Sequence, residues 1–491
     1  MSATVPSTGS TSPPSSDMIS LGLSRITRLL QALKSPQSTT PVVHIAGTNG
    51  KGSVSAYLAS ILHAANLRVG RFNSPHLVDE WDCIRLREEI VEEKLFRKVK
   101  LEVEEVNRRE ALDATPFEVL TATAFSLFAR SELDVAVVEV GMGGEGDATN
   151  VVPAARTLLS VLTAVDLDHQ GFLGNTVEAI ARVKSGIVRE GGDLVLSRQV
   201  YPKVVEVAKS VAESRNAKVW QAGQGRYRHT STAESSISPQ QASIPLDPLC
   251  TFPESNSSVF PSSSSVTPTT INASLPLPGS YQLDNSATAA VAVHLLRNLP
   301  RTTQMVPQLA SITNVAIREG LERTSWDGRL QWLDYSQQRE DTSKEKLNTS
   351  RHRILLDGAH NPSSAALLAS YLSSLPPSEK PSTLVIGISA PRAPSEVLTS
   401  LLDPSTGIKK VVCVEFSPPA GMPWVRSTPE DELYRSVKDL QATGVAVSKY
   451  GNVEEAFTKG IEAEEETIVI AGSLYLVADA LRMVRKMESL W

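Results

Sequence analysis

At 491 residues the chain exceeds what one hydrophobic core usually serves, so two domains are expected, each large enough to bury its own core. A composition of 41% hydrophobic, 21% charged and 5% aromatic residues is that of a globular α/β protein and excludes a collagenous or wholly disordered chain. Lys and Arg number 48 against 54 Asp and Glu, a net charge of −6 with no basic block interleaved with aromatics, which excludes nucleic acid as an expected partner.

Residues 1–17 are rich in Ser, Thr and Pro and carry no Lys or Arg; they read as a disordered tail, neither a signal nor a transit peptide. A β-branched run at 42–46 predicts the first strand. The glycine-rich segment 47–53 follows, and helical spacing over 53–65 places Val54, Leu58, Ile61 and Leu62 on one stripe. Further strands are expected at 67–72, 134–140, 157–162 and 193–197, with an acidic amphipathic helix over 92–108. This alternation predicts an α/β class: a P-loop nucleotide-binding domain with a mostly parallel sheet flanked by helices.

Over 223–270 the composition turns to Ser, Pro and Thr, which predicts a disordered insertion; a helix resumes over 283–296. Residues 323–329 lack periodicity and read as a linker. The central domain is therefore expected over 18–322. A second alternating set at 353–356, 383–388, 410–416, 444–449 and 467–471 predicts a smaller, Rossmann-like α/β domain over 330–491. No run approaches the roughly 18 apolar residues of a membrane span. The cysteines, Cys83, Cys250 and Cys413, have no metal-ligand spacing and make no complete disulfide framework, so a reducing compartment is expected. That compartment is taken as the cytoplasm, with a mitochondrial location as the alternative.

Gly47, Thr48, Asn49, Gly50, Lys51, Gly52 and Ser53 lie between a predicted strand and a predicted helix, where backbone amides and the helix N-terminus favour bound phosphate. The pattern departs from GxxxxGK[ST] by placing Gly52 between Lys51 and Ser53. A glycine-rich turn with a solvated lysine is the competing reading. Such a loop alone would fit a kinase, a GTPase or a motor. Glu139, at the end of a buried strand and just before Gly141, Gly143 and Gly144, stands where a carboxylate can meet magnesium beside phosphates. His169, after another strand, is a candidate second ligand.

These segments and others occur in a characteristic order: HIAGTNGKGSV at 44–54, NSPHL at 73–77, PFEVLTATAF at 116–125, EVGMGG then DATN within 139–150, LDHQGFLGNT at 167–176, KSGI at 184–187, WDGRL at 326–330, DGAHNP at 357–362 and GSLYLV at 472–477. With them the chain resembles the folylpolyglutamate synthase and dihydrofolate synthase group of the Mur ligase family over about residues 22–481, the insertion excepted. The resemblance implies an ATP-dependent ligase that activates a carboxylate as an acyl phosphate and joins it to L-glutamate. It implies that Lys51 and the loop amides hold ATP phosphates and that Ser53, Glu139 and His169 help bind magnesium, with two ions in all. Lys184 matches a lysine carbamylated in many relatives; without the resemblance it reads as a surface lysine. Asn285, Arg329, Asp357 and His360 match positions that close the site on nucleotide or amino acid, His360 being counted with Lys51 and Lys184 as catalytic. Ser74, Pro75, His76, Phe117 and Glu118 match segments bordering the pterin substrate.

Within the group, residues 22–26, 357–361 and 421–424 are closer to fungal dihydrofolate synthases, which favours dihydropteroate over a reduced folate as acceptor. Extension of folate glutamate tails is the alternative. A monomer is expected. Relatives commonly read GGRLDATN where this chain has Glu145 in place of the arginine, a charge reversal beside the expected metal site that leaves a non-catalytic folate- or nucleotide-binding protein as the reading of another class.

Overall fold

The structure, a computed structural model, describes residues 22–228, 238–249, 251–252, 269–340, 347–440, 444–461 and 465–488. The expected tail at 1–17 lies outside them. Short aliphatic runs buried on both faces form the centre of a nine-stranded sheet. In spatial order its strands are Thr251–Phe252, Lys218–Gln221, Asp193–Leu196, Thr157–Leu162, Val42–Ala46, Val135–Glu139, Val69–Phe72, Ile84–Leu86 and Glu89–Ile90. The middle six run parallel. The last two form an antiparallel margin, as does Thr251–Phe252 at the other edge.

Helices cover both faces, as a parallel sheet requires. Apolar residues of Lys51–Ala64, Tyr281–Asn298 and Asn314–Arg323 close one face. Those of Ser24–Ala32, Glu93–Arg109 and Pro116–Arg130 close the other. The last of these helices begins with Pro116 at its first position and a reciprocal capping box between Thr115 and Glu118, which fixes where Phe117 and Glu118 sit.

The expected disordered insertion is corrected in part. Strand Gln240–Pro245 pairs antiparallel with Thr270–Leu275 and with Arg226–Tyr227 in a separate three-stranded sheet. Ala242, Ile244 and Leu246 are fully buried in the same core as Trp220. Their apolar side chains alternate with polar ones, so period-two burial was hidden by the average composition. Residues 229–237, 250 and 253–268 lie outside the described residues.

The second sheet has six strands in the order Gln331–Glu340, Leu347–Leu356, Glu465–Ala471, Thr383–Ile386, Lys410–Val414 and Ala446–Tyr450. All pairs are parallel except the first, a ten-residue antiparallel ladder. Strand Gln331–Glu340 is absent from the sequence reading because its outer half is polar. No helix among the described residues is long and apolar enough to cross a membrane.

Candidate active site

Strand Val42–Ala46 has Val135–Glu139 on one side and Thr157–Leu162 on the other, and the chain leaves all three at the same end of the sheet. Such a switch point opens a crevice. Gly50 caps the helix Lys51–Ala64 at φ 88, and a Cβ there would stand 2.5 Å from Asn285 Oδ1. Gly52 has a different cause: a Cβ would meet the Trp326 ring at 2.7 Å, so the glycine inserted between Lys51 and Ser53 is where the interdomain segment packs on the loop.

The crevice, about 200 Å³, gathers all seven loop residues with Ser74, Pro75, Glu139, His169, Lys184, Arg329, Asp357 and His360, so most of the expected site residues converge. Lys51 Nζ donates to Thr48 O at 3.2 Å and lies 3.8 Å from Glu139 Oε1. Asn73 Nδ2 donates to the other Glu139 oxygen at 2.6 Å. Burial raises the Glu139 carboxyl above its ordinary range, against the pull of Lys51 and the Asn73 hydrogen bond. Ser53 Oγ accepts from Gln282 Nε2 at 3.2 Å.

Lys184 is not the surface lysine its local sequence suggests. It is 3% exposed, on the helix Val177–Ser185, and Nζ donates to Gly47 O at 2.9 Å. Burial, reinforced by Lys51, brings its pKa down to about 7, so a large neutral fraction exists near neutrality. His360 Nδ1 bonds Gly358 O at 2.8 Å. Burial lowers its pKa to about 4, so the ring is neutral and Nε2 is left as an acceptor. Asp357 accepts from the Leu330 and Ala359 amides, each at 2.9 Å, tying the interdomain segment to the second sheet.

Asn285 does not line this crevice. Its amide donates to Gln282 Oε1 at 2.9 Å, and the residue borders an adjoining cavity of about 780 Å³ on the far side of Gly50. Asp168 was missed by sequence reasoning. From the central domain it meets Asn361 Nδ2 at 3.3 Å and Arg392 Nη2 at 3.4 Å, both in the second domain, and so latches the two together across the crevice. Its only signal was a second acid before His169.

A second cavity, about 290 Å³, opens beside the first and shares Ser74 and Pro75 with it. Phe117, Leu120, Met142, Met422, Trp424 and Tyr475 make it largely apolar, and His76 and Glu118 also border it. Phe117 is stacked on Phe72 with centroids 6.3 Å apart. Glu118 spends Oε2 on the Thr115 amide at 2.7 Å and on Arg25 Nε at 3.0 Å; Oε1 is buried with no hydrogen-bond partner among the described residues.

Asp147, also missed, lies buried on this cavity's wall. It accepts from Met142 N at 2.9 Å, Thr149 N at 3.0 Å and Thr149 Oγ1 at 2.5 Å. Thr149 Oγ1 in turn meets His44 Nε2 at 2.8 Å. Burial drives the His44 pKa down to about 3, so a neutral imidazole inside the sheet holds this chain in place. Glu145 needs correction: its side chain is 66% exposed, faces Arg215 at 3.4 Å and lines neither cavity. The charge reversal therefore does not reach the crevice, and the reason given for a non-catalytic protein falls away.

The described residues contain no group of three or more His, Cys, Asp or Glu side chains arranged for a metal. Magnesium does not require one, because it keeps several waters and takes phosphate oxygens beside one or two protein oxygens. Ser53 and Glu139, hard oxygen donors beside the loop, fit that pattern. His169, its side chain 47% exposed and 3.8 Å from Asp168, is a less enclosed donor.

The Mur ligase middle domain family matches residues 45–293, and the family described as dihydrofolate synthetase, C-terminal domain, matches residues 333–483. The chain is 32% identical over 468 residues to the dihydrofolate synthetase of Saccharomyces cerevisiae, covering 95% of this chain and 98% of that one. It is 31% identical to the probable dihydrofolate synthetase of Schizosaccharomyces pombe, over 95% and 99% of the two chains. Among solved structures, E. coli FolC in complex with DHPP and ADP matches with a TM-score of 0.70 at 26% identity, over 96% of this chain and 95% of that one. Mycobacterium tuberculosis folylpolyglutamate synthase complexed with ADP and AMPPCP matches with a TM-score of 0.71 at 25% identity, over 94% and 95%.

Proposed function

The chain belongs to the dihydrofolate synthetase group of the Mur ligase family, and from that premise we propose that it joins L-glutamate to dihydropteroate, converting ATP to ADP and phosphate and giving dihydrofolate. The observation that carries this reading is the junction at Ser74 and Pro75, where the crevice lined by the glycine-rich loop meets a largely apolar cavity bordered by the buried carboxylate of Asp147. A flat aromatic ring with N–H donors fits between the apolar walls and Asp147, and a carboxylate at its other end then reaches the crevice.

ATP phosphates rest on the amides of the loop and on Lys51, with the rest of the nucleotide extending past Gly50 toward Asn285. Attack by the pterin-linked carboxylate on the terminal phosphorus gathers negative charge on the transferring group, which Lys51 and Arg329 offset. Magnesium held by Ser53 and Glu139 would add Lewis-acid stabilisation of that charge. The product is an acyl phosphate. Glutamate's neutral amine attacks its carbonyl carbon, forming the amide bond as the C–O bond to phosphate breaks and the amine's proton leaves with the released phosphate. Water must be kept out, which the latch from Asp168 to Asn361 and Arg392 favours. His360, with a pKa of about 4, is too weak a base to hold the amine's proton; its Nε2 orients the amine by accepting a hydrogen bond.

The neutral fraction of Lys184 would make it a nucleophile toward carbon dioxide, its amine nitrogen bonding the carbon and releasing a proton to leave a carbamate that would serve a second magnesium with His169. Incubation of the purified protein with ATP, magnesium, glutamate and either dihydropteroate or tetrahydrofolate tests the reading. ADP release that depends on both glutamate and dihydropteroate, with a product heavier than dihydropteroate by one glutamyl residue, is expected. Product from tetrahydrofolate alone would assign the tail-extending reaction. Rigorous removal of carbon dioxide should slow turnover if Lys184 is carbamylated, and an unchanged rate would refute that modification.

A further inference from the structure

Trp326 stands where the chain passes from one domain to the other. Upstream, Thr324 Oγ1 donates to Gly320 O at 2.7 Å, and the same carbonyl accepts from Ser60 Oγ at 2.7 Å. Ser60 lies on the helix Lys51–Ala64, so this part of the segment is tied to the helix that begins with Lys51. Downstream, Gln331, the first residue of strand Gln331–Glu340, donates to Asp327 at 3.0 Å and accepts from the Gly328 amide at 2.9 Å. Gly328 O accepts from the Gly358 amide at 2.9 Å. The attachment therefore changes between Thr324 and Asp327, and a change in the angle between the domains is taken up at Ser325 and Trp326.

The indole ring of this residue packs on the phosphate loop. Gly52 lies within a helix and its φ is not positive, so neither helix preference nor backbone conformation calls for glycine there. The ring does: a Cβ on Gly52 would stand 2.7 Å from one ring carbon and 3.0 Å from the ring nitrogen. Nor is the ring free to withdraw. The Arg71 guanidinium lies over it, 5.0 Å from the ring centre. Arg71 is 1% exposed, and its Nε and Nη1 are buried without a hydrogen-bond partner among the described residues, Glu88 standing 3.5 Å away. A buried cation so poorly supplied elsewhere has the ring face as a principal partner.

We infer that Trp326 is a positioning residue for the phosphate loop: its ring sets Gly52, and with it Lys51, in a place that follows the orientation of the second domain. Phosphoryl transfer is thereby kept in step with the arrangement that shields the acyl phosphate from water. The inference rests on the loop's binding of nucleotide and is independent of which acceptor the ligase uses.

Calorimetric titration of the full chain with ADP and magnesium, beside glutamate-dependent turnover, tests it. Gly52→Ala should weaken ADP binding about tenfold or more, because its methyl group and the ring displace one another. Trp326→Phe should lower kcat about tenfold while ADP affinity stays within about threefold, since the placement of Lys51 matters most in the transition state. The double variant should bind ADP about as well as Trp326→Phe alone, a non-additive result. An equal loss from Gly52→Ala with and without the large ring would overturn the inference, because the methyl group would then obstruct phosphate itself. An unchanged kcat in Trp326→Phe would overturn it too. Fluorescence gives a reading that does not depend on Gly52→Ala folding. Among the six tryptophans, Trp326 should contribute a component of the emission change on ADP binding that Trp326→Phe lacks, and an identical change in both proteins would contradict the coupling. Failure of the unmodified protein to bind ADP would instead overturn the phosphate-loop reading beneath it.

Discussion

Replacing Lys51 by alanine should lower glutamate-dependent ADP release by about 10²- to 10³-fold while leaving the fold intact. Lys51 is the cation that reaches from the helix start into the crevice, and its ammonium stands 3.8 Å from Glu139. Two effects combine in the variant. The transferring phosphoryl loses a preorganised positive partner in a site shielded from water, where such a charge counts for more than in bulk. Glu139 loses the first of the groups that oppose the upward push of burial on its carboxyl, so it takes up a proton more readily and becomes a poorer oxygen ligand for magnesium. Stopped-time measurement of ADP checks this, with the melting temperature as the control. Turnover equal to that of the unmodified protein would mean that the loop at 47–53 is not the phosphate site.

Asp147→Ala should reduce kcat/KM for dihydropteroate by roughly 10²- to 10⁴-fold, the range expected for two hydrogen bonds to a charged acceptor. Nucleotide binding should survive, because Asp147 borders the apolar cavity and not the phosphate crevice. The carboxylate has a structural duty as well: it accepts from Met142 N, Thr149 N and Thr149 Oγ1, so alanine leaves those donors without their acceptor. Asp147→Asn separates the duties. It preserves shape and one acceptor oxygen, and should keep most of the melting temperature while still losing pterin affinity. Fluorescence titration with dihydropteroate, beside a titration with ADP, distinguishes the cases. Undiminished pterin affinity in the Asn variant would remove Asp147 from recognition.

The parts of the site carried by contiguous residues were the most legible before folding. The loop at 47–53 has a strand before it and a helix after it in the chain itself, and strand Val42–Ala46 and helix Lys51–Ala64 occupy those places. Glu139 was legible for the same reason, since the end of a buried strand in such a sheet faces the crevice. Lys184 was not. Its burial arises when the helix Val177–Ser185 packs on the loop, so the local pattern around it gives an ordinary helical lysine and only the family resemblance marked it out.

Asp147 and Asp168 escaped because their partners are distant or formed by turns: His44 for one, through Thr149, and Asn361 and Arg392 for the other. Glu145 misled in the opposite sense, because proximity in sequence to the glycine-rich loop says nothing of which way a side chain leaves it. The same limit applies to strand Gln240–Pro245, whose alternating burial depends on a sheet that only the fold assembles.

Activation of the pterin-linked carboxylate by ATP is the step on which every other role in the site depends. Dihydropteroate carrying oxygen-18 in its carboxylate, incubated with the protein, ATP, magnesium and glutamate, tests that directly by mass spectrometry of the released phosphate. Attack of the carboxylate on the terminal phosphorus transfers one labelled oxygen to each phosphate formed with dihydrofolate. Dihydrofolate accompanied by unlabelled phosphate would contradict the acyl phosphate and with it the roles given to Lys51 and the crevice.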